Sequence, residues 1–155
     1  MTRHAHTPGR TMALGLAIAL TTRAGFGGQE PSVPPSVSRG ARLFDGTEPL
    51  AGTLSGHSAP LPAAATRCSQ CHAGPGAPGA TGSSFAPLLD RHLLLDARPR
   101  RGGPPVAYEA VTFCRTLRTG VDPAHVVLPR AMPRFDVDDG QCAALWEYLT
   151  QEIRK

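Results

Sequence analysis

Residues 68–72 read CSQCH. Residues three apart are neighbours on a helical turn, so Cys68 and Cys71 offer two thiols side by side, with the His72 imidazole immediately after. Two of the chain's four cysteines fall within these five residues. Three kinds of chemistry use thiols this close: covalent attachment of a prosthetic group, half of a zinc site, and a dithiol redox couple. Zinc would have to recruit Cys114 and Cys142, which are 28 residues apart rather than a second close-spaced pair. A C-x-x-C redox couple is expected near a βαβ pattern, and none is visible here.

C-x-x-C-H is the attachment signature of c-type haem. Each thiol can add across one haem vinyl group, and the next residue then holds its imidazole over the iron. Composition points the same way. Aromatic residues are 5% of the chain, with a single Trp, too few for a dry core of ordinary size, and a porphyrin would supply the missing apolar centre. The expectation is one haem c, bound through Cys68 and Cys71, with His72 on its iron.

Beyond residue 24 the chain has one methionine, Met132, and three histidines outside the motif, His57, His92 and His125. Met132 lies in PRAMPRF, where Pro133 biases it toward extended backbone. A weak thioether ligand needs such a stiff loop, because a loosely held one dissociates. Met132 is the expected second iron ligand; the alternative is a methionine that fills a gap in the packing.

Residues 1–24 carry Arg3 and Arg10 ahead of an apolar run, Met12 to Leu20, with Thr22 and Ala24 placed for a cleavage site. Positive, then apolar, then small is the order of a secretory signal. The run is well short of the ~20 residues that cross a bilayer. The expectation is export to the periplasm, with no membrane span in the mature form. The net charge of +4 resides mostly in this segment: without Arg3, Arg10 and Arg23, 13 basic residues face 12 acidic ones. No basic patch interleaved with aromatics remains, which argues against nucleic-acid binding.

Residues 25–35 read as a flexible leader, and 36–155 as one all-α domain, small and helical, with long loops. Val37, Ala41 and Phe44 mark one face of a first helix, with Ser36 or Ser38 as its N-cap and Gly46 beyond its end. Alternation in LAGTLSG, within 47–66, predicts a small local hairpin. AGPGAPGATGSS is a loop, and FAPLLDRHLLL holds a helical turn or two. A further helix runs from about Val106 to Arg118, its prolines before it and Gly120 after it. A last helix, capped by Asp136, places Cys142, Leu145, Trp146, Leu149 and Ile153 on one face, with Arg154 and Lys155 at its far end.

CSQCH, FAPLL, and MPRF followed by a helix ending in LWEYL together resemble class I cytochromes c, in particular the bacterial exported single-haem members. The resemblance covers 36–153. It implies that the Pro87 carbonyl accepts a hydrogen bond from the His72 imidazole and that Met132 is the distal iron ligand. It also implies that Gly40 and Phe44 of the first helix cross Leu145 and Tyr148 of the last. The function implied is that of a periplasmic electron carrier, not itself an enzyme, between a periplasmic dehydrogenase and a terminal oxidase or other cytochrome. The alternatives are a haem enzyme, a gas-binding haem protein with a labile distal ligand, and a cytochrome subunit of a larger dehydrogenase complex. The chain departs from the family in its long 45–67 segment and in lacking a ring of lysines for docking, Lys155 being its only one.

Two further expectations concern single residue types. Cys114 and Cys142, on the two later helices, can form a disulfide in an oxidising compartment or remain two small buried side chains. One of Arg98, Arg100 and Arg101 can pair with a haem propionate, since Arg recognises carboxylates well.

Overall fold

Pro34 and Pro35 begin the first helix of the computed structural model, which describes residues 33–73 and 86–151. The segment read as an export signal (1–24), the leader up to residue 32, nearly all of the Gly/Pro loop, and Ile153, Arg154 and Lys155 lie outside the described residues. The described elements are α1 (Pro35–Asp45), β1 (Ala51–Thr53), a 3-10 turn (Ala63–Thr66), α2 (Cys68–His72), α3 (Arg91–Leu95), α4 (Ala110–Thr119), β2 (Arg134–Asp136) and α5 (Asp139–Thr150). The fold is mostly helical but not all-α, because β1 and β2 form a small antiparallel sheet. Among the described residues, no helix is long and apolar enough to cross a membrane.

α1 starts earlier than serine capping predicts. Its N-cap is Pro34, with no side-chain bond, and neither Ser36 nor Ser38 caps it. Proline at the first helical position lacks an N–H that would be unpaired there anyway. Gly46, at φ 83°, ends the helix in the left-handed conformation. The buried face of α1, Val37, Gly40, Leu43 and Phe44, packs on α5. Phe44 and Tyr148 stack with ring centroids 5.6 Å apart. At Gly40 the two backbones meet: a Cβ there would overlap the Ala144 carbonyl oxygen and the Tyr148 Cβ. Gly40→Ala is therefore expected to lower stability by about 1–3 kcal/mol, read as a drop of several degrees in Tm.

The 47–66 segment makes a minimal version of the local hairpin its alternation predicts: Thr53 bridges antiparallel to Pro60, and the Leu61 amide donates to the Gly52 carbonyl at 2.8 Å. The longer ladder of β1 is with the distant β2, Gly52 opposite Phe135. Alternation reports a pleated, half-buried strand but says nothing of its partner. α4 begins at Ala110, not Val106. Val106 is held extended by a bridge to Arg98, and the Tyr108 amide donates to Leu94 at 2.8 Å. The Glu109 amide then donates to Thr112 Oγ1 at 2.9 Å, which sets the start. α5 is capped by Asp138 rather than Asp136. Asp138 Oδ1 accepts from the Gln141 amide (2.6 Å), and Gln141 Oε1 accepts from the Asp138 amide (3.1 Å), a reciprocal capping box. Asp136 is occupied in β2.

The buried residues of α4 and α5, including Phe113, Leu117, Leu145 and Leu149, join Leu43, Phe44 and Leu94 in one core. Cys114 and Cys142 stand at disulfide distance, with Cα atoms 5.6 Å apart, and tie α4 to α5. A cross-link closing a loop of that length contributes roughly 3–4 kcal/mol.

Candidate functional site

The CSQCH motif forms α2, a single turn. Five residues cannot sustain a helix alone, and its N-cap, Arg67, makes no side-chain bond. Support comes from the chain returning after the Gly/Pro loop. The His72 ring Nδ1 lies 2.8 Å from the Pro87 carbonyl oxygen, and the Leu89 amide donates to the His72 carbonyl at 3.2 Å. A carbonyl can only accept, so Nδ1 carries the proton and Nε2 keeps its lone pair. His72 is buried. Burial pushes its pKa down, opposed in part by the Pro87 bond, so the neutral imidazole that a metal requires is favoured.

Cys68 is also buried, and burial pushes its thiol up to about 12. Cys114 and Cys142 are engaged with one another and do not complete a site with Cys68 and Cys71. Among the described residues, no three His, Cys, Asp or Glu side chains converge to hold a metal ion.

Met132 reaches the same place from far along the chain. Its amide donates to the Pro129 carbonyl (3.0 Å), closing a turn, and Arg134 Nη1 donates to the Met132 carbonyl (2.8 Å). Arg134 is itself the first residue of β2, paired with Thr53. The methionine loop is thus held at its front by proline geometry and behind by the sheet.

Cys68, Cys71, His72, Pro87 and Met132 all line one cavity of about 410 Å³. Its wall is largely apolar, with Phe44, Leu94, Phe113, Leu117, Leu145 and Leu149. Arg67, Arg98, Arg100 and Arg101 also border it, against one acid, Asp122. The Arg100 guanidinium donates to the carbonyls of Leu93 and Val106 and lies 4.9 Å from the centre of the Tyr108 ring, a cation–π distance. The Nε atoms of Arg98 and Arg100 are buried with no hydrogen-bond partner. Buried donors of that kind normally have one. His57, His92 and His125 are exposed, and none borders the cavity.

Sequence reasoning missed Arg67, Tyr108 and Asp122. Asp122 sits in VDPAHVV, where an Asp–Pro step reads as a solvated turn. It is nonetheless buried, in a loop that α4 holds through Arg115 to the Asp122 carbonyl and Thr116 to the Val121 carbonyl, which no local pattern announces. No protein-family profile, curated protein or solved structure matches the chain.

Proposed function

We propose that the cavity holds one covalently bound haem c and that the protein is a periplasmic single-electron carrier. The observation that carries this reading is the convergence of CSQCH and Met132, 60 positions apart in sequence from His72 to Met132, on one apolar cavity. The donor set fits the group: two adjacent thiols, a neutral imidazole with Nε2 free, a thioether, and unpartnered guanidinium Nε atoms suited to propionate carboxylates. When bound, haem supplies a one-electron ferric/ferrous couple. The chain does the rest. Cys68 and Cys71 tether the group. Pro87 locks the His72 ring and its tautomer, as a partner on the far nitrogen does for metal-bound histidine. The proline-closed loop presents Met132. The apolar wall excludes water.

With His72 and Met132 both holding the group, no coordination position would remain for a substrate. That favours carriage over catalysis, between a periplasmic dehydrogenase and an oxidase or another cytochrome. Export in a host with haem-ligation machinery tests the reading. The purified protein is expected to keep haem through denaturing electrophoresis, and its reduced form to resist carbon monoxide. A colourless wild type, or ready carbon monoxide binding, would overturn the reading.

A further inference from the structure

Asp122 does not belong in an apolar wall. It is fully buried and is the one acid bordering the cavity among the described residues. Oδ1 accepts from the Val126 amide at 2.8 Å, which helps close the loop in which Val121 bridges to Val127. Oδ2 has no hydrogen-bond partner. Closing that loop needs one acceptor oxygen and no charge, so an asparagine would serve. Burying a carboxylate with an unpaired oxygen is costly, and loop closure alone leaves the acid unexplained.

The groups facing Asp122 come from each element around it. From α4, Arg115 Nη2 lies 3.5 Å from the Asp122 carbonyl oxygen. From the preceding segment comes Tyr108, whose phenol is pushed up first by burial and then by the Asp122 charge, with Arg100 and a hydrogen bond to Thr116 opposing. His125 contributes only its backbone amide, which donates to the Asp122 carbonyl at 3.0 Å; its ring is exposed. Arg98 and Arg101 share the cavity wall.

We infer that Asp122 sets the reduction potential of the site by placing a carboxylate at the wall of the haem cavity. The inference rests on the haem reading above. A nearby negative charge stabilises ferric over ferrous iron, which carries one positive charge fewer, and it acts strongly where water is excluded. The electron that reduces the iron comes from the redox partner protein.

Asp122→Asn keeps the shape and the Oδ1 acceptor and removes the charge. Wild type and variant are first checked for covalent haem, then titrated spectroelectrochemically at a single pH. The variant is expected to shift the reduction equilibrium at least tenfold toward ferrous, about 59 mV upward for one electron. A shift below threefold with unchanged spectra overturns the inference and leaves Asp122 a loop-closing residue. A wild type without haem overturns the haem reading itself, a separate result seen before any titration. Redox-difference infrared spectra of wild type labelled with ¹³C at the aspartate carboxyl need no variant. Asp122 is the only one of seven aspartates on the cavity wall. A shifted aspartate carboxylate band is expected, and a silent aspartate region overturns the inference.

Discussion

Cys68→Ala combined with Cys71→Ala yields protein from which all haem is lost on denaturing electrophoresis, and whose intact mass lacks the cofactor. The reason is chemical. The two thiols sit on adjacent positions of one turn, and both border the cavity. They are also the two free cysteines among the described residues, the other pair being at disulfide distance. No other described thiol can make the tether. Either single substitution leaves one thioether and is expected to retain haem on the gel at reduced yield. His72 and Met132 remain in the double variant, so a fraction can still bind haem reversibly under native conditions. That contrast separates attachment from affinity. Covalent haem persisting in the double variant would sink the assignment.

Met132→Ala is expected to have the second-largest effect, a fall in reduction potential on the order of 100 mV or more. A soft thioether favours ferrous over ferric iron compared with water or imidazole. Its removal would also leave one coordination position of the group free for small ligands. The ferric wild type should show the weak far-red band of sulfur-ligated haem, and the variant should lose it. The reduced variant should gain carbon monoxide binding. The supports of Met132 are mainly backbone groups: its amide to Pro129 and its carbonyl to Arg134. Alanine keeps both, so the loop itself should stay folded, and unfolding curves can check that. A wild type that already lacks the band and binds carbon monoxide when reduced would contradict Met132 ligation.

The parts of the fold legible in the sequence were those governed by local chemistry. Val37 and Phe44 of the α1 stripe, its Gly46 stop, the α4 stop at Gly120 and the described buried face of α5 follow from periodicity and glycine conformation, whereas Ala41 is only half-buried. CSQCH stood out because it is a chemical pattern, and Met132 because it is alone of its kind beyond residue 24; the structure brings both to one cavity. What sequence could not reveal depended on distant partners. Ser36 and Asp136 are good capping residues by type, but a proline pair and a strand claimed those positions. Val106 looks helical until Arg98 pairs with it. Three-residue strands carry too little pattern to pair from sequence, so the ladder of β1 with β2 was not legible.

The β1–β2 ladder has a consequence for the order in which the molecule assembles and comes apart. It joins Gly52 to Phe135, across most of the described chain, so its closure entropy is large and its rungs are among the late contacts to form. CSQCH, by contrast, is a local turn. On the proposed haem reading, the tether would be made while the methionine arm is still unplaced, and the arm would be placed when the two strand segments meet. The same arm is the natural unit of sub-global opening. On the proposed haem reading, loss of the three short rungs would release Met132 while the α1–α5 crossing stays shut, and ligand exchange at the iron would then be separable from unfolding of the domain.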